Sequence, residues 1–207
     1  MSYSAVFDAI VLASYDVGEA DRFLILLTRE KGRLAARAPG ARRLKSRLCP
    51  LLPLTHLAVE LKESRGGFLV CGITPHHHHN PRVQHLQDFF VRMQASELLL
   101  ALLSDGEPVP EIFEALSALL HHPHCAEQDT LAFTLRVLAL LGVLPEITHR
   151  LFAPLSPEER SFVLASMRGT PVNEKISCTR LRSLCTQLVQ EHCTRPLRST
   201  DVAAACM

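Results

Sequence analysis

Up to about residue 74 the apolar positions come in short runs with the period of strands, and from Pro81 onward they recur with the period of helices. "AVFDAIVLASY" and "DRFLILLT" flank the polar turn "DVGEA", and "GRLAARA" follows the Gly-containing turn "REKG". In "LTHLAVELKES", Thr55, Leu57, Val59 and Leu61 fall on one face, and His56, Ala58, Glu60 and Lys62 on the other. "RGG" then turns the chain into "FLVCGIT". Five short strands in so few residues are too few for a sandwich and predict a small closed barrel.

The second part predicts helices. Val83, Leu86, Phe89, Phe90 and Met93 stand at helical spacing and lead into "LLLALL", apolar all round as a buried central helix is. "PEIFEALSALL" opens with a proline, and "TLAFTLRVLALLG" ends at Gly142 as a cap. Ser156, Pro157 and Glu159 form a capping-box signature for a helix over 157–168. The last helix, about 179–192, has Leu181, Leu184, Cys185, Leu188 and Val189 on one stripe. The expected architecture is α+β and multidomain: a five-stranded OB-like β-barrel over 1–75, then an all-α helical domain over 81–207, with "TPHHHHNP" at the boundary.

Composition changes this picture little. The 207 residues are 47% hydrophobic and 21% charged, as in an ordinary globular protein. No stretch approaches the roughly 18 uninterrupted apolar residues of a membrane span, and the N-terminus lacks a signal-peptide pattern, which predicts a cytoplasmic protein with no membrane partner. Seven cysteines without a CxxC spacing predict reduced thiols, mostly small core residues. Formal net charge is only +1, so attraction to a polyanion has to be local.

It is local between Arg29 and Arg47, where Arg29, Lys31, Arg33, Arg37, Arg42, Arg43, Lys45 and Arg47 face a single acid, Glu30. Several flexible cations on one surface, with Gly and Ser between them, are what phosphate binding requires. The competing reading is a solvated loop that keeps the chain soluble. Stacking groups are thin: Tyr3, Phe7, Tyr15, Phe23 and Phe68 are the nearby aromatics, Phe23 is expected in the core, and base readout is not predicted.

Other clusters have plainer readings. Asp16, Glu19 and Asp21 in "YDVGEADR" could hold a hard cation, although a polar hairpin turn explains them as well. His76 to His79 lack a fixed geometry, and "HHPHC" at 121–125 reads as a cap and loop, so no metal site and no cofactor are predicted. Arg136, alone on an apolar helix, either snorkels to the surface or binds an anionic group at a groove edge. There is no GxSxG, HExxH, GxxxxGK[ST] or strand-following GxGxxG, so no enzyme is predicted.

The stretch "AIVLASYDVGEADRFLILLTREKGRLAARAPGARRLKSR", 9–47, resembles the N-terminal region of the bacterial recombination mediator RecO. That family opens with a strand, a Tyr and Gly-Glu-x-Asp turn, an apolar strand ending in Thr, a Gly turn and a basic "KGAR..KS" loop. Here these are Tyr15, Gly18-Glu19-Ala20-Asp21, "LILLT", Gly32 and "PGARRLKSR", with Pro39 in place of the usual Lys. "LLGVLPEITH", 140–149, and "TRPLRSTDV", 194–202, are similar to later segments of the family.

The resemblance implies an OB-fold followed by a helical domain, without catalysis. It implies binding of single- and double-stranded DNA, strand annealing, and recombinase loading onto strands coated by single-stranded DNA-binding protein, with RecR and the acidic tail of that coat protein as partners and a nucleoid-associated location. Arg33, Arg37, Arg42, Arg43, Lys45 and Arg47 are the expected phosphate contacts, and Arg136 the candidate for the tail. Many members insert a four-cysteine zinc module after the segment matching "LLGVLPEI"; this chain continues with His149, Arg150 and "LFAPLSPEERSFVLASMRG", so no zinc site is carried over. Two rivals stand beside this reading: a protein-interaction adaptor on the same fold that has lost DNA binding, and a metal-dependent hydrolase using the acidic turn and histidines.

Overall fold

The computed structural model describes residues 4–48, 51–75, 86–170 and 176–193. Five strands come first: β1 (Ser4–Val17), β2 (Asp21–Thr28), β3 (Gly32–Ala38), β4 (His56–Ser64) and β5 (Gly67–Pro75). They close into a barrel in the order β1-β2-β3-β5-β4, with β3 and β5 parallel and the other pairings antiparallel. This is the expected OB-like barrel.

Closure depends on β1, which is long enough to serve two neighbours. Ser4–Ile10 pair with β4, and Ala9–Val17 pair with β2. A register shift between Val11 and Ala13 bends the strand, as a one-residue bulge does. Ala9, Val11, Leu24, Leu26, Leu57 and Val59 are among the fully buried residues filling the interior. Thr28 Oγ1 donates to the Gly32 carbonyl at 3.0 Å and accepts from the Lys31 amide at 3.1 Å, which ties the β2–β3 turn.

Five helices follow: α1 (Leu86–Leu102), α2 (Pro110–His121), α3 (Glu127–Leu140), α4 (Pro157–Arg168) and α5 (Cys178–His192), with a 3-10 turn at Arg150–Phe152. The chain forms two compact units: Met1–Arg82 with Leu103–His121, and Val83–Leu102 with His122–Met207. Helix α2, which period alone groups with the other helices, therefore belongs to the barrel unit. It covers the outward side of β4: His56 is only 6% exposed and meets the Phe113 ring edge-on at 5.5 Å, while its Nε2 lies 2.7 Å from Asp8 Oδ1.

In the helical unit, α4 is capped as expected. Ser156 Oγ accepts from the Glu159 amide at 3.2 Å, and Glu159 Oε2 accepts from the Ser156 amide at 2.8 Å. All five stripe residues of α5 are buried. Helix α1 departs from expectation. Leu86 and Phe89 are exposed, and the buried face includes Asp88 and Arg92. The reason is polar: Asp88 Oδ1 accepts from the Cys125 amide at 2.9 Å, and Arg92 Nη2 donates to the His122 carbonyl at 2.7 Å. No helix among the described residues is long and apolar enough to cross a membrane.

Candidate nucleic-acid interface

The basic loop after β3 is a chain of tight turns. The Arg43 amide donates to the Gly40 carbonyl at 3.1 Å and the Ser46 amide to the Arg43 carbonyl at 2.9 Å. Ala41, 4% exposed, roots the loop in the barrel core. The Gly and Ser between the cations serve the loop itself: Gly40 takes φ of +67°, open to glycine at little cost, and Ser46 Oγ accepts from the Leu48 amide at 3.2 Å. Leu44 stands fully exposed between Arg43 and Lys45.

The loop is docked on the acidic β1–β2 turn. The Arg42 amide donates to the Ala20 carbonyl at 2.9 Å, and Arg42 Nη1 donates to the Gly18 carbonyl at 3.0 Å. Asp21 Oδ1 accepts from the Gly40 amide at 2.8 Å, while its Oδ2 accepts from Arg37 Nε and Nη2 at 3.0 and 2.6 Å. Asp16 lies 3.3 Å from Arg42 Nε and 3.4 Å from Arg22 Nε. The Gly40 hydrogen bond first, then that of Arg37, holds the Asp21 carboxyl below its ordinary range. Asp16 and Asp21, which could have held a metal cation, thus pair with guanidinium groups instead.

The six expected phosphate contacts separate into two groups. Arg37 and Arg42 are paired as above, and Arg33 Nε lies 2.6 Å from Asp105 Oδ1. Arg33 sits four residues before Arg37 on β3, about 13 Å along the strand, and so stands apart from the loop. Arg43, Lys45 and Arg47 are exposed and form no ion pair among the described residues. Lys31 lies over the Phe7 and Phe68 rings, 5.6 and 5.4 Å from their centroids.

The aromatic side chains depart from expectation. Phe23 is 39% exposed, not in the core, and stands directly opposite Tyr15, which is 55% exposed. Leu24 and Leu26 occupy the inward positions of β2, which leaves Phe23 pointing out.

The remaining candidates lie elsewhere. Arg136 Nη1 donates to the Met167 carbonyl at the end of α4, where Gly169 takes φ of +72°. In "HHPHC", Cys125 is buried and desolvation pushes its thiol up, while His122 Nδ1 contacts the His124 carbonyl. Among the described residues no group of three or more His, Cys, Asp or Glu side chains could hold a metal ion. The histidines at 76–79 and the segment 194–202 lie outside the described residues.

Comparison with known proteins bears on both halves. Residues 1–70 match the family model "Recombination protein O N terminal", and residues 91–162 match "Recombination protein O C terminal". The chain is 36% identical over 164 residues to the DNA repair protein RecO of Myxococcus xanthus (strain DK1622), covering 74% of this chain and 65% of that protein. It is 33% identical over 152 residues to its namesake from Nocardioides sp. (strain ATCC BAA-499 / JS614), covering 69% and 61%. With the namesake from Polaromonas sp. (strain JS666 / ATCC BAA-500) it shares 32% over 180 residues, covering 78% and 67%. The chain spans about three fifths to two thirds of these relatives' own lengths.

Proposed function

The chain belongs to the RecO family of DNA repair proteins, and on that premise we propose that it binds single- and double-stranded DNA through the basic loop of its barrel, as a non-catalytic mediator. In this reading it anneals complementary strands and helps load recombinase onto strands coated by single-stranded DNA-binding protein, with RecR and the acidic tail of the coat protein as partners. The observation that carries the DNA contact is the ordered loop presenting Arg43, Lys45 and Arg47 as exposed cations without a carboxylate partner among the described residues. Phosphates meet these three first. Arg37 and Arg42 join by exchanging Asp21 and Asp16 for phosphate, at the cost of breaking those pairs, and Arg33 contributes from the far end of β3.

Titration of labelled single-stranded and duplex oligonucleotides across a salt series, with wild type and an Arg42→Ala/Arg43→Ala variant, tests this. A shallower salt slope in the variant supports the reading, and an unchanged slope contradicts it. Arg136 is the proposed contact for the acidic tail. Its existing bond to the Met167 carbonyl means the tail shares the guanidinium with α4, and an Arg136→Ala variant that still binds an acidic, Phe-ending peptide as wild type does removes it from the reading.

One observation favours the adaptor reading. Three of the six candidate cations are already neutralised within the chain. An adaptor retains no DNA at moderate salt while a protein partner still co-purifies.

A further inference from the structure

The outward face of the barrel beside the basic loop carries two aromatic residues that phosphate binding does not use, in a row that ends on Arg37. Tyr15 on β1 is directly opposite Phe23 on β2, and Phe23 is directly opposite Arg37 on β3. Directly opposed residues of antiparallel strands share a face, with Cβ atoms about 4.5–5.5 Å apart. That face is the outer one, because Leu24 and Ala36 beside this row point into the core. Val17, 40% exposed, extends the patch two positions along β1.

We propose that Tyr15 and Phe23 form a stacking surface for the bases of single-stranded nucleic acid, with Arg37 and the loop cations holding the sugar–phosphate chain alongside. The proposal rests on the DNA-binding reading and adds what that reading lacks, a basis for telling single strands from duplex. Aromatic rings accept the π-face of any base, and a duplex keeps those faces stacked within itself. Charge complementarity selects this occupant over an apolar protein surface. The basic loop starts directly after β3, and Arg42 ties it to the Gly18 carbonyl at the turn that follows Tyr15 and Val17. Of the three carboxylates in and beside the β1–β2 turn, Asp16 and Asp21 are paired with Arg22, Arg42 and Arg37, and Glu19 is exposed at the turn itself.

The test compares wild type with a Tyr15→Ala/Phe23→Ala variant for affinity toward a single-stranded oligonucleotide and toward a duplex at fixed salt. Loss of stacking weakens single-strand binding by about 5- to 150-fold for each base released, leaves duplex affinity unchanged, and leaves the salt slope unchanged because no cation is removed. A Tyr15→Phe/Phe23→Tyr variant retains wild-type affinity. Since the chain has no tryptophan, Phe23→Trp supplies its one tryptophan, whose emission is excited apart from that of the two tyrosines and is quenched by a stacked base. Full single-strand affinity in the double-alanine variant, or an equal loss on single strands and duplex, overturns the stacking surface while leaving the basic loop in place. Retained single-strand affinity with loss of a co-purifying protein overturns it in favour of a protein docking site. If wild type binds no oligonucleotide at low salt, the DNA-binding reading fails and the stacking surface with it.

Discussion

The carboxylate of Asp21 fixes the start of the basic loop by accepting the Gly40 amide at 2.8 Å. Its other oxygen accepts both Arg37 nitrogens, so one side chain both shapes the loop and neutralises a candidate phosphate ligand. Because the Gly40 and Arg37 bonds lower the Asp21 pKa below its ordinary 3.8, the anchor is fully present above that value and is lost as pH falls through the lower folded-state value. Hydrogen exchange at the Gly40 amide should therefore stay slow through the ordinary carboxylate range. Asp21→Ala should speed that exchange at neutral pH and, by loosening the loop backbone, speed trypsin cleavage after Arg42, Arg43 and Lys45, with exchange rate and cleavage rate as the readouts.

Gly32 is the glycine of the barrel unit least open to a side chain. It has φ of +66°, and a Cβ there would lie 1.7 Å from the Glu107 carbonyl oxygen. Gly32→Ala is expected to cost about 2–4 kcal/mol through strain and collision together. Urea unfolding should show the loss, and exchange at the Gly106 amide, which donates to the Arg33 carbonyl at 2.7 Å, should rise with it.

In the helical unit, Ser156→Ala removes one half of the capping box of α4. The expected cost is about 1 kcal/mol, seen as a fall in unfolding midpoint with no effect on oligonucleotide affinity. Ser156→Asp, which retains an acceptor at the N-cap, should restore most of it.

The described cysteines should react in the order of their exposure. Cys71 is exposed, whereas desolvation pushes the Cys185 thiol to about 12 and raises those of Cys125, Cys178 and Cys193. Alkylation in native buffer followed by peptide mass mapping should label Cys71 first, and Cys185 only after denaturant.

What the sequence discloses, and what it hides, follows from how each feature is encoded. The five strands, the turn residues and the α4 cap are local patterns, so they are legible directly. The exposure of Tyr15 is not. Period-two alternation would send Tyr15 inward with Ala9 and Val11, and the bulge between Val11 and Ala13 reverses the face. Phe23 is hidden differently: "FLILL" is apolar at successive positions of β2, and no alternation says which side faces the core. The pairing of Asp16 and Asp21 with the basic loop spans up to 26 residues and depends on barrel closure, and charge counting along the chain cannot see it. The same holds for Asp88 and Arg92, whose burial on α1 rests on backbone partners at Cys125 and His122.

In the proposed function, the exposed cations of the loop grip phosphates. The most direct measurement is the salt dependence of single-strand affinity for wild type and for an Arg43→Ala/Lys45→Ala/Arg47→Ala variant. Removing three cations that contact phosphates should shallow the slope of log affinity against log salt by about 2. An unchanged slope would contradict the account and leave the loop a solvated surface.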